Sequence, residues 1–176
     1  MGSLATVPAL DRPELLAEPI RRALAASPDA EVYVAEIDPE LADTAQFCAA
    51  YQVEPGISAN CVVVAGQRGG EQRVAACMVL ATTRADVNNV VRRRLDVRKA
   101  SFMMMEEAVR ATGMEYGGIT PIGLPADWPV LVDAAVAALP YAVIGSGVRR
   151  SKLLLPGQTL AGWPGAQTVD GLGKPA

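Results

Sequence analysis

Between Gly113 and Gly123 the chain reads Gly-Met-Glu-Tyr-Gly-Gly-Ile-Thr-Pro-Ile-Gly, four glycines and a proline in eleven residues. Such a segment carries little side-chain bulk, and its backbone N–H groups are free to donate. Two readings follow. Either Gly117, Gly118, Thr120 and Pro121 form a rigid wall brought close to a small molecule, or Gly113 caps a helix and ordinary turns follow. Gly145-Ser146-Gly147 stands at a strand end, where glycines permit a tight turn or the close approach of a ligand. No helix clearly follows it, so a Rossmann phosphate loop is excluded. Asn60 precedes an apolar run, and its amide either faces a pocket mouth or bonds its own turn. Asp133 follows Val130-Leu131-Val132 and reads first as the cap of a helix over 134–139, second as a pocket carboxylate. Basic residues gather at Arg92, Arg93, Arg94, Arg98 and Lys99, and again at Arg149, Arg150 and Lys152. They either contact phosphates or form solvated faces.

What is absent narrows the chemistry. The 176 residues include no histidine, which excludes Ser-His-Asp and Cys-His catalysis and any His-ligated zinc. Cys48, Cys61 and Cys77 form no Cys-x-x-Cys pair and have apolar neighbours, so they read as reduced, buried thiols of a cytosolic protein. Met103-Met104-Met105 reads as core packing, and neither a metal nor a cofactor is expected. A net charge of −3 provides no whole-molecule field for nucleic acid, so any such contact must be local, and DNA is not an expected partner. The start lacks a basic region followed by a long apolar run, so no secretory signal is read. Met1 to Thr6 fits the loose myristoylation pattern but reads as an ordinary start. No apolar run approaches the ~18–20 residues that span a bilayer, so no membrane partner is expected.

The elements that must position these residues are legible from periodicity. Hydrophobic residues make up 51% of the chain and aromatics only 5%, so Ala, Val and Leu must build the core of a single domain. Helical spacing covers residues 11–26, 44–52, 86–95 and 103–112, the last ending at Gly113. Strands are expected at 31–37, at 60–65 as a buried central strand, at 73–81 beyond a hairpin-like Gln67–Gly70 loop, and at 99–102, 130–132, 141–144 and 152–155. A short helix starts near Pro156, and the segment 165–176 is expected to be a frayed, flexible tail. Strands and helices mix without strict alternation. The expectation is an α/β single-domain fold, a mixed sheet surrounded by helices.

The order of segments resembles the YbaK-type aminoacyl-tRNA deacylases, free-standing relatives of the editing insertion of bacterial prolyl-tRNA synthetase. The likeness spans residues 38–160 and is weak over 1–37. It rests on Asp38-Pro39 with the Thr44 helix, Asn60-Cys61-Val62-Val63-Val64, Val97-Arg98-Lys99-Ala100, Thr112-Gly113, Gly117 to Gly123, Val132-Asp133 and Gly145-Ser146-Gly147. The resemblance implies a partly barrel-like sheet and hydrolysis of the ester between a wrong, small amino acid and the 3′ end of tRNA in the cytoplasm, with a synthetase as a possible partner. It implies substrate-assisted chemistry that needs no histidine base. Carried over by position, Asn60, Gly117 and Gly118 are the catalytic candidates, Thr120, Pro121, Asp133, Gly145, Ser146 and Gly147 bind substrate, and Arg98, Lys99, Arg149, Arg150 and Lys152 contact tRNA. One departure stands out: the family usually has lysine where this chain has Asn60. A neutral donor contributes about 0.5–1.5 kcal/mol where a charge-assisted one contributes about 1.5–3. Arg149 or Lys152 replaces that charge, or the substrate differs, or the fold has become a binding module.

Overall fold

Two prolines decide how the chain begins. The computed structural model describes residues 2–175, so Met1 of the possible acylation pattern lies outside the described residues, as does Ala176 of the tail. Residues 11–26, expected as one helix, are split. After β1 (Thr6–Pro8) the chain makes 3₁₀ turns at Ala9–Asp11 and Pro13–Leu15, and α1 spans only Glu18–Ala25 with Pro19 in its first turn. Proline lacks an N–H and disfavours helical backbone in the residue before it, so a helix cannot run through both Pro13 and Pro19.

The remaining elements are β2 (Tyr33–Glu36), α2 (Thr44–Tyr51), β3 (Ala59–Arg68), β4 (Glu71–Leu80) and β5 (Thr83–Ala85). A π-helical turn (Val87–Val91) runs into α3 (Arg92–Arg94), followed by β6 (Ala100–Phe102) and α4 (Met105–Thr112). Then come β7 (Val130–Asp133), α5 (Ala134–Ala137), β8 (Ala142–Gly145), β9 (Ser151–Leu155), α6 (Gly157–Ala161), β10 (Ala166–Val169) and β11 (Gly173–Pro175). Gly69 and Gly70 join β3 to β4 with φ of +61° and +85°, the positive values that a twist-matched two-residue hairpin turn needs at both central positions.

Three sheets result. One has the order β1-β2-β9-β8 and is antiparallel. The second has the order β10-β7-β4-β3-β6 and is mixed, since β7 runs parallel to both β4 and β10. The third pairs β11 with β5. Neither large sheet closes into a barrel; an isolated parallel bridge between Ser58 and Val143 joins their edges. Alternation along the strands divides the apolar residues among clusters, as a period of two requires. Val130, Val132, Leu153 and Leu155 enter the main core with Ile20 and Leu24 of α1. Leu131 faces a second cluster with Val64 and Val91, and Leu154 a third with Phe47 of α2.

The segment after Gly165 does not fray. β10 extends the mixed sheet beside β7, and Leu172 is fully buried. Asp133 and Asp86 hold the end of the chain: Gly173 N–H donates to Asp133 Oδ2 at 2.6 Å, and Lys174 Nζ lies 2.6 Å from Asp86 Oδ2. Composition suggested a loose tail because it contains Gly and Pro, but Val169 and Leu172 fill space in the second cluster. The Lys174 ammonium holds the Asp86 carboxyl below its ordinary range, with hydrogen bonds from Asn89 adding to the effect against the opposing pull of burial. A depressed carboxyl pKa contributes stability above its unfolded value of about 3.9 and loses it as pH falls through the folded value. Lys174→Ala should therefore lower Tm at pH 7, and the difference from wild type should shrink as pH is taken below about 4. Thermal melts across that range check this; a constant difference would mean that other contacts hold the tail.

Candidate functional site

A wedge opens where the two large sheets part. They touch at Ser58–Val143. From there β3 and β8 diverge, each on an edge that no strand covers: β6 reaches β3 only at Val64–Gly66, and β8 ends its sheet. The wedge holds a cavity of about 550 Å³, within the range of small-ligand sites. Ser58 to Val63 form one wall, Val143 to Gly145 with Lys152 a second, and Ala42, Asp43, Thr44 and Phe47 around the start of α2 a third. Phe102, Met103, Met105, Ala108, Tyr116, Gly117 and Ile119 close it from β6, α4 and the glycine loop.

Two polar groups of β3 and β9 define its chemistry. Asn60 lines the cavity, and Thr44 Oγ1 donates to its Oδ1 at 2.9 Å. That bond fixes the amide, and its N–H₂ has no protein partner among the described residues. Lys152 also lines the cavity and is only 7% exposed. Its Nζ donates to Ala42 O at 2.9 Å and stands 5.1 Å from the centre of the Phe47 ring, a cation–π contact. An ammonium has three donors, so two remain for a ligand. Burial lowers the Lys152 pKa, and the nearby Arg149 adds to this. Lys152 was expected to contact tRNA phosphates. Its burial rules out that surface role and makes it a cation of the cavity wall.

Asp43 is the carboxylate among the lining residues, and its Oδ1 is paired with Arg149 Nη1 at 3.3 Å. Cys61 lines the cavity, but burial, with Cys77 nearby, pushes its thiol far above the ordinary range, so no thiolate forms. The Ser58 hydroxyl pairs with Cys48 Sγ at 3.5 Å. Among the described residues no cluster of His, Cys, Asp and Glu could hold a metal ion. The cavity can bind, orient and stabilise negative charge through Lys152 and Asn60.

The glycines divide: Gly117 and Gly145 line the cavity, and Gly118 and Gly147 do not. Gly117 lines the cavity at φ +80°, and a Cβ there would lie 2.6 Å from Arg149 Nη1. Gly118 does not line it. Gly147 N–H donates to Gly118 O at 2.7 Å, Glu115 N–H donates to Gly147 O at 2.8 Å, and a Cβ on Gly145 would lie 2.4 Å from Gly118 O. The close approach that glycine permits is thus of backbone to backbone. Gly147, at φ +81°, packs on Ala17 and Ile20, away from the cavity. Ser146 is fully buried and bonds to Ser151 Oγ at 2.7 Å, bracing the turn between β8 and β9. Thr120 and Pro121 are buried behind the wall and do not line the cavity.

The other expected contacts also separate. Asp133 caps α5 by accepting from Ala135 N–H at 2.8 Å and holds Gly173; it does not reach the cavity. Arg149 spans the mouth, with Nη1 3.3 Å from Asp43 Oδ1 and Nη2 donating to Pro39 O at 3.2 Å. Arg150 donates to Glu14 O and so ties down the N-terminal segment. Arg98 and Lys99 are exposed just ahead of β6. Sequence reading missed Thr44 as a partner of Asn60, and Phe47, Phe102, Met105 and Tyr116 as lining. The i, i+3 spacing of Thr44 and Phe47 on α2 was the available signal. If Asp133 is structural, Asp133→Ala should cost about 2–4 kcal/mol of stability through two lost charge-assisted bonds and leave kcat/KM unchanged. Urea unfolding beside a turnover assay measures both, and a selective loss of turnover would return Asp133 to the site.

Comparison with known proteins bears on the fold and the lineage. Residues 38–162 match the family model of the aminoacyl-tRNA editing domain. A crystal structure of a candidate trans-editing enzyme for prolyl-tRNA synthetase superposes with a TM-score of 0.76 at 21% identity, covering 91% of this chain and 97% of that one. A crystal structure of a hypothetical protein superposes with a TM-score of 0.78 at 17% identity, covering 89% of this chain and 100% of that one. At these identities the superpositions establish the fold, and the family model, which covers well over half of the chain, establishes the lineage. The chain belongs to the aminoacyl-tRNA editing domains, the hydrolases that remove a wrong amino acid from tRNA.

Proposed function

We propose that the protein is a free-standing, cytosolic editing deacylase that cleaves a small amino acid from the 3′ end of a mischarged tRNA. The observation that carries this reading is the convergence of Lys152 and Asn60 on one cavity whose carboxylate, Asp43, is paired with Arg149. Lys152 takes the part of the cation that the family usually places at the Asn60 position. Its free N–H groups and the Asn60 amide are the donors for the ester oxygen that gains charge as water attacks the carbonyl. Water is activated by a group of the substrate itself, since the Asp43 carboxylate is engaged by Arg149. Discrimination by size suits a second sieve, because one methylene changes binding by only about 1–3 kcal/mol at the synthetase.

Asn60 also supports a second reading, a module that binds an aminoacyl group without hydrolysis. The two are separated by the response to charge. Deacylation of a panel of mischarged tRNAs, beginning with small amino acids on proline tRNA, should show release of one of them well above the uncatalysed rate. Lys152→Met should lower kcat by about 100-fold or more, the effect of losing an oxyanion donor, with Tm unchanged or raised because a buried charge has been removed. Asn60→Lys should lower kcat/KM and Tm, since two ammonium groups would share one desolvated cavity. A gain of hydrolysis in Asn60→Lys would instead mean that Lys152 does not replace the missing charge and that the wild-type site has lapsed.

A further inference from the structure

Of the six large apolar side chains that the described residues expose, four gather at the cavity mouth: Phe102 (58% exposed), Met104 (73%), Met105 (50%) and Tyr116 (60%). Phe102, Met105 and Tyr116 line the cavity, and Met104 adjoins them. They come from three places in the chain: the end of β6, the start of α4 and the glycine loop. None belongs to a core cluster. In a chain with eight aromatic residues, two Phe, two Trp and four Tyr, leaving two aromatic side chains open beside the main cavity forgoes burial that would stabilise the fold. The rim is continuous with the site, so a single ligand can both enter the cavity and cover the rim.

Charge around the rim gives that occupant a direction. Glu106 and Glu107 stand in the first turn of α4 next to Met105, so a polyanion is repelled on that side. Arg98 and Lys99 are exposed just ahead of β6 and form no ion pair among the described residues. Lys99 is three residues from Phe102, about 10 Å along an extended chain. A nucleotide chain that leaves the cavity mouth therefore runs beside β6, away from α4.

We propose that Phe102, Met105 and Tyr116 form a stacking platform for the terminal nucleobase of the aminoacyl-tRNA, whose ribose ester enters the cavity. This rests on the deacylase reading for the identity of the substrate. Aromatic faces and a thioether suit the flat, polarisable face of a base, and stacking requires no field of positive charge. It gives a protein of net charge −3 a way to hold the end of a polyanion through local contacts.

The test uses the full-length protein and two non-hydrolysable probes. One is 3′-alanylamino-3′-deoxyadenosine; the other is the same amide on a ribose without a base. Calorimetry should show the first binding about tenfold or more tighter, the effect of one stacked base. Phe102→Ala and Tyr116→Ala should each reduce that preference about fivefold or more, with a smaller effect on the base-free probe. Phe102→Trp and Tyr116→Phe should restore it. Both positions are exposed, and unchanged thermal melts would show that the variants fold. Equal affinity for the two probes, binding of neither, or equal weakening of both by the alanine variants overturns the proposal. So does a wild-type dimer in sedimentation that becomes monomeric in the double alanine variant, because a second copy then covers the rim. A base preference without hydrolysis of any mischarged tRNA upholds the platform and removes the deacylase reading. Hydrolysis without a base preference does the reverse.

Discussion

No side chain can stand between Gly118 and the turn that joins β8 to β9. Gly118 O accepts from Gly147 N–H, and a Cβ on Gly145 would overlap that same oxygen. This backbone seam sets the distance between the glycine loop and β8, and so the position of the cavity wall that Gly117 and Ile119 form. It also seats the N-terminal segment. Gly147 leaves room for Ala17 and Ile20, Ser146 O accepts from Ala17 N–H, and Gly123 admits the backbone at Pro19. The poor family likeness of residues 1–37 thus conceals a structural role: α1 buttresses the seam from behind, and β2 pairs with the strand that carries Lys152.

The cavity itself follows from incomplete pairing. β3 is a ten-residue strand, yet β6 covers only three residues of its outer edge. The part left uncovered, Ala59 to Val62, faces the other sheet across the wedge. An unpaired edge is a liability in most proteins; here the neighbouring elements shield it and make it a binding surface. Into this surface the fold places one desolvated ammonium, that of Lys152, stabilised by a carbonyl and an aromatic face. A buried cation without a carboxylate partner is costly, and the cost is reasonable where the ligand carries or develops negative charge.

Much of the fold was legible in the sequence. The Gly69-Gly70 hairpin, the strand through Asn60, the helix ending at Gly113 and the cap at Asp133 all follow from local rules of turn, period and capping, though Asn60, Cys61 and Val62 are only half-buried on the cavity edge. The misread segments are those where context overrides local preference. Residues 11–26 have helical spacing but two prolines, and the Gly- and Pro-containing tail is ordered because Leu172 completes an apolar cluster and Asp86 and Asp133 bind its backbone and lysine.

The candidate site divides along the same line. Asn60 and the Gly113–Gly123 loop are visible as unusual residues in unusual places, and the order of motifs identified the lineage. Which of them touch the cavity was not visible, because residue type reports what a group can do and not where it points. Glycine signals a close approach, but only the tertiary structure shows that Gly118 and Gly145 approach each other. Lysine signals a cation, but only the pairing of β9 with β8 and the position of α2 bury Lys152 against Ala42 and Phe47. The sequence by itself determined most of the elements, the family and the absence of histidine chemistry, since these depend on local period and composition. The location of the charge and the open aromatic rim were decided by contacts between residues far apart in the chain.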